Sequence, residues 1–374
     1  MVRLAAVAAG LCLAAGASTA SRGYLTTPQE LARIRERAAA GVEPYRSAVR
    51  ETIAYAAEAK LPPADQGRVA CTASRLPVYA TAGSSVVYAY ALAYHLTRDK
   101  AYAAKIRDAI RMLQGVTALE AGDCPLTMGR HIPDWIRAAD LIEDEWGKSE
   151  KRSFQDWLAA VIYPSLATKY RRGNNWGAVI TNAGQYVADY LHDRPDLKLD
   201  GGSPAEAYAA MRQTALDRVN GVLWDNCGEG VSMIRPDGGI PEELRRSTTC
   251  DDTHIQQGSP GHYYSEGYLA GTISQAELCL RRGDRSLYEN VDRTGRGSIR
   301  KAIDFVLDRV SWQKKPSLMI AARYYRDRRM LAGARAAPST DRESHDYINQ
   351  FAALTHDFAE SETPSGPPVT PPPR

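Results

Sequence analysis

Phenylalanine is nearly absent, with 4 among 374 residues, and neither sign of charge prevails. The 47 Lys and Arg face 44 Asp and Glu, for a formal net charge of +3. That balance speaks against a dedicated nucleic-acid binder, which carries a basic excess or basic blocks. The chain has no Cys-x-x-Cys pair and no His-Glu-x-x-His run, so a zinc site built on a compact motif is unsupported. Strand-like alternation is scarce, and its best stretch lies around Val231–Ile234. Beyond the N-terminus no apolar run approaches the ~20 residues that span a bilayer. What is present is globular: 44% hydrophobic and 24% charged residues exclude a disordered chain, a collagen repeat and a polytopic membrane protein. The length allows one large core or two smaller ones. Against the few Phe stand 20 Tyr and 6 Trp. Such rings have an apolar face and a polar edge, which suits a wet groove for a sugar chain and equally suits helix–helix contacts.

The first twenty residues read as an export signal. Arg3 precedes an apolar stretch from Leu4 to Ala15 that is too short to cross a bilayer, and Ser18-Thr19-Ala20 offers small residues for cleavage after Ala20, with Ala17 as the other option. Leu11 before Cys12 argues against a lipoprotein anchor. The expected mature protein is therefore secreted or periplasmic, with no membrane partner. Five cysteines then remain in an oxidising compartment, which permits disulfides. Cys71–Cys124 and Cys227–Cys250 are the preferred pairs because all four lie in loop-like stretches. Cys279 sits in the helical pattern Ala276-Glu277-Leu278-Cys279-Leu280 and is expected to be a buried free thiol.

The mature chain reads as helix after helix. Thr27-Pro28-Gln29-Glu30 combines a Thr cap, Pro at the first helical position and Glu three residues after the cap. Helices are predicted at 84–96, 101–113, 133–145, 151–166, 176–190, 204–223, 299–310 and 318–331, and one ends at Leu280. Polar elbows at Thr97–Lys100, Leu191–Pro195 and Arg281–Asp284 join helix to helix, which suggests stacked antiparallel hairpins. The expected fold class is all-α, an (α/α) toroid over residues 21–360. Ser361–Arg374 holds six prolines and reads as an extended tail.

Three constellations stand out. Arg171-Arg172-Gly173-Asn174-Asn175-Trp176-Gly177 precedes a helix. Asn174 there can be a helix cap and Trp176 a core residue, or the amides can face an anion at the helix N-terminus. Asp237-Gly238-Gly239-Ile240-Pro241-Glu242-Glu243-Leu244-Arg245-Arg246 is a turn and a charged run, ordinarily a solvated loop. Gly261-His262-Tyr263-Tyr264-Ser265-Glu266-Gly267-Tyr268-Leu269 enters a helix, where Tyr264, Tyr268 and Gly271 share roughly one face. In this order the motifs resemble the alginate lyase-like family of polysaccharide lyases, and Gly295–Asp304 is similar to that family's next helix. The sharp matches span Asn174–Arg309. The resemblance implies an (α/α) toroid that cleaves a uronate polymer by β-elimination; the expected partner is an anionic polysaccharide, and the chain is expected to be a monomer without cofactor or metal.

β-Elimination sets three tasks. The C6 carboxylate must be neutralised, a base must take the C5 proton, and an acid must protonate the leaving O4. Tyr can do the last two when both lie on one face of the sugar, provided a cation favours its phenolate, since a free phenol titrates at about 10. The resemblance assigns Asn175 and Arg246 to the carboxylate, or Arg246 to the phenol. It puts Tyr264 on the catalytic Tyr, with Tyr263 as the one-residue alternative. The family's His after Asn-Asn is Trp176 here, so His254 or His262 is a candidate replacement, each equally readable as an ordinary loop His. Asn174, Trp176, His131, His262 and Tyr268 are the candidate substrate-binding residues. Without a His base, same-face substrates such as mannuronan or glucuronan are favoured over guluronan. Two other readings remain at this stage: a glycoside hydrolase using a carboxylate pair among Asp237, Glu242, Glu243, Asp251 and Asp252, and a non-catalytic glycan-binding protein.

Overall fold

A computed structural model of the chain describes residues 21–72, 76–223, 227, 234–247, 249–250, 254–290, 297–335 and 348–358. The export signal, the proline-rich tail and most of the strand-like stretch at 231–234 lie outside these residues. The helices are α1 (Pro28–Ala39), α2 (Tyr45–Glu58), α3 (Val78–Thr97), α4 (Lys100–Leu113), α5 (Cys124–Leu141), α6 (Lys148–Trp157), α7 (Tyr163–Ala167), α8 (Asn175–Tyr190), α9 (Pro204–Val219), α10 (Pro241–Leu244), α11 (Pro260–Arg281), α12 (Ile299–Leu307), α13 (Lys315–Tyr325), α14 (Arg328–Arg335) and α15 (Ala352–His356). A π-helical turn, Leu158–Ile162, joins α6 to α7. A small parallel pair, β1 (Gly67–Val69) with β2 (Val116–Leu119), is the sheet of the described residues.

Residue patterning separates inner from outer helices. From Val86 to Ala93 every residue of α3 is buried, as befits a helix enclosed on all sides. α4 instead buries one stripe: Ala103, Ile106, Ala109, Ile110 and Leu113. Asp99 caps α4 after Arg98 takes a left-handed φ of 64°. Gly283, at φ 84°, does the same turning work after α11. The Thr27/Glu30 capping box forms as the sequence indicates, and Ser203/Glu206 forms another.

Contacts set the direction of the inner helices. Ser84 Oγ meets His131 Nδ1 at 3.0 Å near the starts of α3 and α5, and His95 Nε2 meets Leu141 O at 2.6 Å near their ends. Gly271 of α11 abuts the backbone of Ala178 and Val179 in α8, so close that a Cβ there would sit 2.8 Å from Ala178 C. Farther along, Gln275 binds Gln185 and Arg282 binds Asp189. Glu266 in α11 accepts the N–H groups of Gln313 and Lys314 ahead of α13. Gly129 and Arg137 of α5 likewise meet Val179 and Tyr186 of α8, so α3, α5, α8 and α11 run parallel, and the intervening helices return the chain outside them. α15 packs on α13, α1 and α2, and Phe351 sets its ring 5.5 Å from Tyr55 and 5.8 Å from Tyr88. The last described segment thus meets the first helices, and the architecture is an (α/α) toroid. Cys71–Cys124 and Cys227–Cys250 are both disulfide-bonded, and Cys279 is a buried free thiol. No helix of the described residues is long and apolar enough to cross a membrane.

Some predicted boundaries move. α5 begins at Cys124 rather than Pro133, with Pro133 inside it. A mid-helix Pro costs about 3 kcal/mol, and burial of almost the whole helix outweighs that. The predicted helix 318–331 is two helices, because Arg326 adopts a left-handed φ of 54°. α9 stops at Val219, with Gly221 at φ 71° just beyond it.

Candidate active site

The parallel inner helices bring their N-termini to one end of the toroid, where their partial positive charges add. Asn174 caps α8, its Oδ1 accepting the N–H of Gly177 at 3.4 Å. Gly177 is required here, since a Cβ would fall 1.8 Å from Arg172 O. The loop crossing above is anchored from below by the buried Arg218 of α9, which donates to Tyr170 O, Arg172 O and Thr181 Oγ1 at 2.9, 3.1 and 2.6 Å. Burial pushes the Arg218 guanidinium down to about 10.

Asn175 is only 4% exposed. Its N–H donates to Glu243 Oε1 at 2.5 Å. Its side-chain Oδ1 is buried without a hydrogen-bond partner among the described residues. Its Nδ2 lies 3.6 Å from where a Cβ of Gly267 would stand, so the amide reaches the α11 surface at a glycine. One turn earlier on α11 is Tyr264, half-buried, with the Arg246 guanidinium 4.5 Å from its ring centroid. Asn175, Arg246 and Tyr264 therefore gather where α8 and α11 begin. Tyr263, 41% exposed, turns elsewhere: it stacks on His262 and sets its hydroxyl over Gly258.

Beside this gathering opens a cavity of about 710 Å³ lined by residues 167–174 together with Glu242, Arg245 and Arg246. Its cations are Lys169, Arg171, Arg172, Arg245 and Arg246. The Glu242 carboxylate is taken up by Arg245, at 2.8 and 2.5 Å. Glu243 is fully buried, and desolvation pushes its carboxyl up to about 8, reinforced by Glu242 and opposed by the Asn175 N–H and by Arg246 and Arg245. The surface left over is strongly cationic, suited to a polyanion.

The remaining sequence candidates fall elsewhere. Trp176 is half-buried beside the cavity, with Arg172 and Lys169 at 4.7 and 5.1 Å from its ring. It packs against Leu126, Val179, Ala270 and Ile348, so it joins a core cluster while cations cover its ring. Contrary to the sequence expectation, His262 does not line the cavity. It is fully buried, its Nδ1 accepting from Gly258 N at 3.1 Å and its Nε2 facing Glu266 at 2.8 Å, so both nitrogens are engaged inside the protein. Tyr268 is likewise fully buried, in the core around α11, and presents no surface to a ligand. His131 lies within α5, not before it. It is buried, bonded to Ser84, and pushed down to about 3 by burial and by Arg130. His254 is exposed on the stretch leading into α11. Among the described residues no histidine lines the cavity.

The carboxylate pair of the hydrolase reading does not assemble among the described residues. Glu242 and Glu243 are neighbours on one short helix, both buried, and Asp237 is held by Arg235 and Gly239 N. Asp251 and Asp252 lie outside the described residues. No group of three or more His, Cys, Asp or Glu among the described residues is placed to hold a metal ion. Sequence reasoning had passed over Lys169, Arg218 and the link from Glu243 to Asn175. The apolar run after Asn-Asn-Trp marked the helix, but nothing local marked what folds over its end.

No family model and no curated protein matches the chain. Solved structures do share its fold. An alginate lyase from Bacteroides ovatus superposes with a TM-score of 0.60 at 16% identity, covering 91% of this chain and 100% of that one. An apo histidine-to-alanine variant of alginate lyase A1-III gives a TM-score of 0.63 at 14% identity, covering 92% of this chain and 98% of that one. The chain has the helical toroid fold of these lyases.

Proposed function

We propose that this protein is a secreted polysaccharide lyase that cleaves a β-1,4-linked uronate polymer, mannuronan or glucuronan, by β-elimination. The observation that carries the reading is the Arg246 guanidinium over the ring of Tyr264, beside the buried amide of Asn175 and a cationic cavity. The fold shared with two alginate lyases supports the same class.

In this reading the uronate carboxylate sits at the N-terminus of α8. Asn175 Nδ2 hydrogen-bonds to it, and Asn174 and Arg246 add favourable potential. This spreads the negative charge that grows as C5 loses its proton. The Tyr264 phenolate, held beside the Arg246 cation, takes that proton. The C5–H electrons become the C4=C5 double bond while the C4–O4 bond breaks. The same phenol then returns its proton to O4. A Tyr that acts twice needs the proton and the leaving group on one face of the ring, which D-mannuronate and D-glucuronate provide.

The test is absorbance at the ultraviolet edge, where the unsaturated product absorbs, on mannuronan, guluronan, glucuronan, hyaluronan and pectate. Turnover of mannuronan or glucuronan supports the reading. New reducing ends without absorbance would indicate hydrolysis, and binding without turnover would indicate a glycan-binding protein. Either outcome rejects it.

A further inference from the structure

Far from the cationic cavity, at the opposite end of the inner helices, the segment Ser21–Leu25 is built into the protein. Asp140, in the last turn of α5, is 2% exposed. Its Oδ2 accepts from Ser21 Oγ at 2.7 Å and Gly23 N at 3.0 Å, and its Oδ1 accepts from Arg22 N at 2.7 Å. Asp189, at the end of α8 and 4% exposed, receives Arg22 at 3.0 and 2.8 Å and Arg282 at 2.9 and 2.7 Å. The third donor of Arg282 reaches the carbonyls of Arg22 and Gly23, both at 3.0 Å. Tyr24 stacks on Tyr186 at 4.8 Å, and Leu25 gives its carbonyl to Arg281. Gly23 turns at φ 66°, where a Cβ would strike Thr27.

Two carboxylates and two guanidiniums meet in this pocket, but the direct contacts are unevenly shared. Asp189 has two guanidinium partners, whereas Asp140 has three neutral donors, and among the described residues no cation touches it. Arg282 acts on Asp140 through space without touching it, and a buried carboxylate with no counter-ion in contact is costly. A cation in direct contact would have to come from a neighbouring group, and the Ser21 nitrogen adjoins one of the donors already in place. It shares a Cα with the side chain that already binds Asp140, and in either gauche rotamer of Ser21 the two heteroatoms stand about 3 Å apart.

We propose that Ser21–Leu25 is a docked chain terminus: hydrolysis of the Ala20–Ser21 bond frees an α-ammonium at Ser21 that pairs with the buried carboxylate of Asp140. The step consumes one water and leaves a carboxylate on Ala20 and the ammonium on Ser21, with no redox change. The agent is a peptidase that accepts small residues before the cut. The segment clips together the C-terminal ends of α5, α8 and α11. Removing the leader therefore completes the inner ring, and the unprocessed chain stays looser.

The experiment compares thermal unfolding of four preparations: the chain starting at Ser21 with a free amine, the same chain N-acetylated, the chain starting at Ala20, and the chain starting at Ser18. The expected result is a midpoint several degrees higher for the free Ser21 amine than for the other three. The gap should vanish in Asp140→Asn and persist in Ser21→Ala, which keeps the amine and loses the hydroxyl. Should Asp140→Asn not fold, the Ser21→Ala comparison decides alone. Equal midpoints in all four preparations, or a gap that survives Asp140→Asn, would overturn the proposal. So would an intact mass of the exported chain that begins anywhere but Ser21. None of these readouts depends on lyase activity.

Discussion

At the scale of single residues, Tyr264, Arg246 and Asn175 divide the proposed work, and their variants should fail differently. Tyr264→Phe keeps the ring under Arg246 and removes the proton carrier, so kcat should fall on the order of 10²–10⁴-fold with KM little changed. Steady-state absorbance kinetics check this, and a fully active variant would sink the base assignment. Tyr263→Phe, at a side chain stacked on His262, should be close to neutral in the same assay. Glu243 makes a separate prediction. Its folded-state pKa is raised from 4.5 to about 8. The folded protein therefore holds a proton there that the unfolded chain has lost, and stability falls as pH climbs from 4.5 through 8. Glu243→Gln keeps the acceptor for the Asn175 N–H and cannot ionise. Its midpoint should drop less between pH 5 and pH 8.5 than that of the parent, as followed by circular dichroism. Motif order singles out Tyr264 and Arg246, and the structure sets the Arg246 guanidinium 4.5 Å from the Tyr264 ring centroid. The burial of His262 and Tyr268 was not legible in the sequence, because a residue on α11 belongs to the cleft or the core according to which helices flank it.

At the scale of elements, close approach is what sets the α8 N-terminus. Gly177 lets the Arg172 carbonyl lie against the helix, and Arg218 holds that loop from beneath. Gly177→Ala should push the loop away, at a cost on the order of 1–3 kcal/mol in stability. It should also raise KM for polymer, because Arg171 and Arg172 shift with the loop. Urea denaturation and kinetics measured on the same preparation test both parts. Helix existence was readable from caps and apolar spacing: the Thr27 box, the elbow at Thr97–Lys100 and the end of α8 all fall where the residues point. Boundaries failed where burial overrode local preference, as at Pro133, or where one residue turned left-handed, as at Arg326. Neither event leaves a mark in the local composition.

At the scale of the whole molecule, stability rests on closing the ring. The buried Arg137 of α5 bonds Asp134 at 2.6 Å, Tyr186 of α8 at 2.8 Å, Ser274 of α11 at 3.0 Å and the carbonyl of Ile348. One side chain thus ties three inner helices to the C-terminal segment. Arg137→Ala would take the salt-bridge partner away from the buried carboxylate of Asp134, with an expected loss of about 3–5 kcal/mol. Chemical denaturation measures it, and a loss below about 1 kcal/mol would contradict this role. Cys71–Cys124 closes a second link, between the chain after β1 and the start of α5. The double variant Cys71→Ser/Cys124→Ser should lose about 2–5 kcal/mol.

The residue pattern by itself determined that the chain is helical, that its helices come as hairpins and where the two asparagines stand against a helix. These are local facts: caps, elbows and apolar stripes act within a few residues of the chain. Only the tertiary structure decided that the inner helices run parallel, so that their N-termini, the Arg246–Tyr264 contact and the cationic loop share one end while Asp140 and Asp189 receive Ser21–Leu25 at the other. The physical reason is that these meetings join residues far apart in sequence. Which of two similar tyrosines lies under Arg246, or which histidine is sealed inside, depends on packing between helices rather than on any helix alone.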